Sequence, residues 1–74
     1  MSFREIMTVE EVAQYLRLKP QTIYKWAQDG IIPAAKFGKE WRFRKSLIDT
    51  WIDAKFAESP AVQELKSNSN NDDI

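Results

Sequence analysis

The sequence predicts a mainly α domain with one small β-hairpin, in the order helix, tight turn, helix, hairpin, helix. Three observations predict it. Apolar residues recur at helical spacing in three stretches, each opened by residues that favour a helix start. Only Arg17-Leu18-Lys19 separates the first two stretches, too few residues for an element of their own. Between Pro33 and Lys45 the apolar period shortens to two around a glycine, the pattern of paired strands.

The first helix is predicted over Val9–Leu16. Thr8-Val9-Glu10-Glu11 is a capping box, in which Thr8 accepts from the amide of Glu11 and Glu11 reaches back to the amide of Thr8. Val9, Val12, Ala13 and Leu16 then form one apolar stripe. Met7, just before the cap, can staple the first turn against Val12. After the short turn, Pro20 sits in the first turn of a second helix, where its missing N–H costs nothing. Ile23, Trp26 and Ala27 are its apolar face, and Gly30 closes it in the left-handed conformation. Pro33 prevents continuation. Leu18, the apolar residue of the turn, is expected to plug the angle between the helices.

Ala34-Ala35-Lys36-Phe37 and Trp41-Arg42-Phe43-Arg44 read as two strands around Gly38-Lys39-Glu40. A two-residue turn would set Lys36 opposite Trp41 and Ala35 opposite Arg42, mixing the faces. A three-residue loop would set Phe37 opposite Trp41 and Ala35 opposite Phe43, with Lys36 opposite Arg42 and Ala34 opposite Arg44. The second register separates an apolar face from a basic one and is the one expected. Lys45-Ser46 opens a third helix, with Ser46 and Asp49 as a capping pair. Its expected buried side is Leu47, Ile48, Trp51, Ile52 and Phe56, and it should fade near Ala57–Ser59, before Pro60. One more helical turn at most is expected over Ala61–Lys66. Ser67 to Asp73 has nothing apolar to bury and is expected to be disordered.

Residues 1–57 are therefore read as one domain and residues 58–74 as a polar, acidic tail. The chain of 74 residues leaves room for one small core, with Trp26, Trp41 and Trp51 as candidate fillers. With no Cys and no His, disulfides, thiolate or imidazole metal sites, and Ser-His-Asp or Cys-His chemistry are all excluded. Glu10 and Glu11 are accounted for by capping, so neither an enzyme nor a cofactor is expected. No run approaches the ~18 apolar residues of a membrane span. The N-terminus lacks the basic flank and apolar stretch of a signal peptide, so a cytoplasmic location is expected, without a membrane partner.

The formal net charge of zero hides an uneven distribution. Residues 1–57 hold ten Lys/Arg against seven acids, a net of +3, and residues 58–74 have a net of −3. Arg17–Lys45 is the most lopsided stretch, with eight basic residues against Asp29 and Glu40. A basic stripe of this kind is the footprint of a polyanion partner.

Two helices joined by a short turn make a helix-turn-helix unit, whose second helix lies in the major groove of DNA. Its outward positions are Gln21, Thr22, Tyr24, Lys25 and Gln28. Gln can bond an adenine edge, a Thr methyl can touch a thymine methyl, and Lys25 can reach a guanine or a phosphate. Tyr24 can donate to a phosphate. The hairpin supplies a second contact, with Lys36, Arg42 and Arg44 expected on its outer face and Lys39 at its tip. Lys36 and Lys39 also protect an exposed strand edge. Trp41 and Phe43 alternate out of phase with the arginines and are expected in the core.

The runs Met7–Leu16, Thr22-Ile23-Tyr24-Lys25-Trp26, Gly30-Ile31-Ile32-Pro33, Lys36–Phe43 and Leu47–Ile52, in this order and spacing, resemble the excisionase-type, MerR-like winged helix-turn-helix domains. The resemblance covers about Met7 to Phe56. It implies a compact winged helix-turn-helix that binds double-stranded DNA, as a transcription regulator or as an excision factor that directs recombination. It places Gln21, Thr22, Tyr24 and Lys25 on the recognition helix and Lys36, Lys39 and Arg42 on the wing. It also implies association with the nucleoid when bound, and further copies bound side by side. Glu40 departs from the two basic residues many relatives carry at the wing tip, which weakens the phosphate clamp. The residues after Ala57 show no heptad pattern, so no small-molecule effector and no coiled-coil dimer are expected. A winged-helix protein-interaction module without DNA binding is the alternative.

Overall fold

The computed structural model describes residues 3–61. The elements are β1 (Ile6–Met7), α1 (Val9–Leu16), α2 (Pro20–Gln28), β2 (Ala35–Phe37), β3 (Glu40–Arg44) and α3 (Lys45–Glu58). Three helices thus pack with a three-stranded antiparallel sheet of order β1-β3-β2. Strand β1 is the element the sequence did not announce. Its two residues pair Met7 with Phe43 and Ile6 with Arg44.

Helix α1 begins as its residues dictate. Both halves of the capping box are present: the Glu11 amide donates to Thr8 Oγ1 at 3.1 Å and the Thr8 amide to Glu11 Oε1 at 2.9 Å. Met7 and Val12, the stapling pair, are both fully buried in one cluster. At the other end the Leu18 amide donates to the Ala13 carbonyl and the Arg17 amide to the Gln14 carbonyl. This closure requires Arg17 in the left-handed region, at φ 62°. An L residue there costs roughly 1–2 kcal/mol relative to the right-handed form. Helix α2 closes by the same pair of bonds, Ile31 amide to Trp26 carbonyl and Gly30 amide to Ala27 carbonyl, with Gly30 supplying the positive φ without strain.

The hairpin register differs from the expected one. Ala35 pairs with Arg42, Lys36 with Trp41 and Phe37 with Glu40, so the loop is the two-residue turn Gly38-Lys39. Gly38 has φ 64° and Lys39 a negative φ, the pattern of a type II′ turn, whose twist matches that of the flanking strands. A glycine at the first loop position was the signal for this turn. Separating apolar from basic faces does not decide the register, because the outer face of this hairpin has no layer over it. Phe37 accordingly lies on the open face and is 65% exposed. Lys36 falls on the face of Trp41, with its Nζ 5.5 Å from the indole centroid, and not beside Arg42 and Arg44 as expected.

The core is Met7, Val12, Ala13, Ile23, Ala27, Ile32, Phe43 and Ile48, one contiguous cluster drawn from every element except β2. The three tryptophans flank it and are only partly buried. Trp26 and Trp51 meet at 5.8 Å between centroids, and Trp51 Nε1 donates to the Ile31 carbonyl at 2.9 Å, tying the end of α2 to α3. Helix α3 presents an apolar arc wider than the core can cover. Ile48, near the middle of the arc, is buried, whereas Leu47 and Phe56, on its two flanks, are 50% and 63% exposed. Leu18 is likewise exposed and borders a groove with Trp26, Ile31, Ile52 and Phe56, so it does not plug the interhelical angle.

The start of α3 also departs from expectation. Ser46 does not pair with Asp49. Its amide and hydroxyl both donate to the Glu5 carboxylate, at 3.2 and 2.6 Å, and the Lys45 amide donates to the Glu5 carbonyl at 2.7 Å. A carboxylate delivered from beside β1 outcompetes a local cap because it meets two donors at the positive end of the helix. Asp49 turns to Tyr15 Oη and Lys45 Nζ instead, joining α1 to α3. The further turn and the disordered run expected in the tail lie, beyond Ala61, outside the described residues.

Candidate nucleic-acid interface

The short turn after α1 and the core contacts of Ile23 and Ala27 fix which side of α2 faces out. Gln21 and Lys25, one helical turn apart, point away from the core and are exposed. Tyr24 lies on one flank of that face, 44% exposed, and Thr22 on the other, half-buried.

The wing approaches the Tyr24 flank. A cleft of about 410 Å³ opens between them, bounded by Pro20, Gln21 and Tyr24 on α2, Thr8 and Glu10 at the start of α1, and Lys39 to Arg42 of the hairpin. Of the residues singled out from the sequence, the fold brings Gln21, Tyr24, Lys39 and Arg42 together here. Thr22, Lys25, Lys36 and Arg44 do not line the cleft. Trp41 does, although the sequence placed it in the core. Its Nε1 is buried without an acceptor among the described residues.

The cations of this surface differ in what already holds them. Lys25 Nζ is 3.6 Å from Asp29. Arg42 donates through Nη1 to the Trp41 carbonyl at 2.8 Å and lies 3.6 Å from Glu40. Arg44 is 3.1 Å from Glu5, at the root of the wing. All three pairs are at the surface, where such ion pairs contribute little and exchange readily for another anion. Lys39 has no ion pair among the described residues.

Two carboxylates hold the scaffold beneath this surface. The hydrogen bond from the Ser46 hydroxyl, aided by Arg44, holds the Glu5 carboxyl below its usual range. The Tyr15 hydroxyl and then the Lys45 ammonium do the same for Asp49. The Asp49 partnership in turn raises both Tyr15 and Lys45 above their ordinary values. The sign follows for each group. Carboxylates depressed in the folded state add stability above the ordinary value of about 4, and that stability is lost as pH falls through the depressed values. Tyr15 and Lys45, raised in the folded state, add stability below about 10 that is lost as pH rises through the raised values. Thermal unfolding followed by circular dichroism should therefore show a plateau at neutral pH with a fall on each side. Glu5→Gln should shrink the acid fall and leave the alkaline one in place. An acid limb unchanged in Glu5→Gln would remove Glu5 from this account.

Among the described residues no helix is long and apolar enough to cross a membrane, and no cluster of metal-ligating side chains is present. A family model described as a helix-turn-helix domain matches residues 6–55. No curated protein and no solved structure matches the chain. The match runs from β1 through most of α3 and takes in the turn, the outward face of α2 and the wing. The chain thus belongs to the excisionase-type family of helix-turn-helix domains.

Proposed function

We propose that this domain binds double-stranded DNA in a sequence-specific manner, with α2 as the recognition helix in the major groove. Gln21 and Lys25 face the base edges, Thr22 offers its methyl to thymine, and Tyr24 donates to a phosphate on the wing side. Lys39 and Arg42 hold the backbone from the wing or enter the adjacent minor groove, with Lys36, on the Trp41 face, and Arg44, on the opposite face, as further contacts. The observation that carries this reading is the cleft in which the start of α2 and the wing turn converge, lined by Gln21, Tyr24, Lys39 and Arg42. Transcription control and excision both need this DNA-bound form, and copies binding side by side would serve either.

The second reading, a protein-interaction module, is favoured by one observation: Ile6, Phe37 and Leu47 expose apolar surface around a groove on the outer face of the sheet. A fluorescence-anisotropy titration on mixed-sequence duplex DNA at two salt concentrations separates the two. Binding that weakens steeply with salt supports the phosphate clamp, because each neutralised phosphate releases counterions. Absence of binding at low salt, in the full chain and in residues 1–57 alike, would move the assignment to a protein partner.

A further inference from the structure

We infer that the helix-turn-helix turn itself, through Arg17 and Lys19, is a second DNA-backbone clamp, outside the cleft between α2 and the wing. The inference rests on the DNA-binding reading and adds to it two contact residues that neither the recognition helix nor the wing contains.

The charge distribution comes first. From Val12 to Gln28 there is no acidic residue, and Arg17, Lys19 and Lys25 are its cations. Lys25 is paired with Asp29, whereas Arg17 and Lys19 are exposed and have no ion pair among the described residues. They are therefore free to meet an external anion without first giving up an internal one, unlike Lys25, Arg42 and Arg44.

Position comes second. Pro20, Gln21 and Tyr24 border the wing cleft; Arg17 and Lys19 do not. Arg17 precedes Pro20 by three residues, so its Cα lies within about 11 Å of the first residue of the reading helix. A long basic side chain there reaches the phosphates beside the groove that α2 enters, where contacts fix register and orientation.

Backbone conformation is the third observation. Arg17 is the non-glycine residue with positive φ among those described. Glycine fills such a position with less strain. The position thus holds a long cation where glycine would be the more stable residue.

The two properties predict opposite signs for one substitution. Arg17→Gly should raise Tm by on the order of 4 °C. It should also weaken DNA binding alike for all sequences and take about one unit off the slope of log K against log salt. Lys19→Gln should remove about one further unit of slope, and Arg17→Lys should keep the wild-type slope. The measurements are thermal unfolding by circular dichroism and anisotropy titrations of the full chain on one mixed-sequence duplex at several salt concentrations. If the wild type binds with a salt slope and both Arg17→Gly and Lys19→Gln retain it, the turn clamp is overturned while the DNA reading stands. If the wild type shows no salt-dependent binding, both fall together.

Discussion

Phe43→Ala is expected to cost roughly 3–5 kcal/mol, a large share of what so small a domain has. Phe43 is 1% exposed, pairs with Met7 across the sheet and is the largest fully buried side chain of the core. For a domain of this length that loss corresponds to a fall in Tm on the order of 15–30 °C, enough to leave the variant unfolded at room temperature. The informative control is Phe37→Ala on the partner strand. In the observed register Phe37 stands opposite Glu40 on the open face, so its loss should change stability by no more than about 0.5 kcal/mol. In the face-separating register that the hairpin sequence favours, Phe37 would stand opposite Trp41 on the covered face and its removal would be costly. Equal losses for the two phenylalanines would therefore overturn the two-residue turn as well as the core assignment. Thermal melts of both variants decide it.

Lys25→Ala carries the largest expected effect on recognition. Lys25 sits mid-helix on the outward face of α2, one turn from Gln21, with only a surface ion pair to Asp29 to give up. If it meets a guanine edge, its loss should relax preference at one base position by about 1–3 kcal/mol. Arg42→Ala, on the wing, should weaken all sequences equally and lower the salt slope by about one unit. Part of the Arg42 guanidinium is engaged by the Trp41 carbonyl, so the substitution also frees a backbone acceptor. A melt run beside the titration separates that structural effect from lost phosphate contact. Selection on random duplexes with each variant reads the base preference. If the two substitutions produce the same profile, the division into a reading helix and a clamping wing is wrong.

The parts of the fold governed by neighbours in sequence were legible from sequence. The capping box, the αL closure at Gly30 and the stripe of Val9, Val12, Ala13 and Leu16 set α1 and α2 through contacts three or four residues apart. The outward positions Gln21, Tyr24 and Lys25 followed from the same period. Where a distant residue competed, local reasoning lost. Ser46 found Glu5 rather than Asp49, because Glu5, beside β1, brings a carboxylate to the start of α3. Two residues of strand give no periodic signal, so β1 and the acceptor beside it were invisible. The expected hairpin register fails because it requires every apolar side chain to be covered, and Phe37, Leu47 and Phe56 are not.

By itself, then, the sequence determined the order of the three helices and the hairpin, the helix ends and the residues that face outward on α2, since these depend on backbone chemistry within a turn of helix. Only the tertiary structure decided which side of the wing Lys36 occupies, that Gln21 and Tyr24 share a cleft with Lys39 and Arg42, and which cations are already paired. Those outcomes depend on the Met7–Phe43 pairing and on the packing of α1 and α3 around it, where residues far apart in the chain compete for one small core.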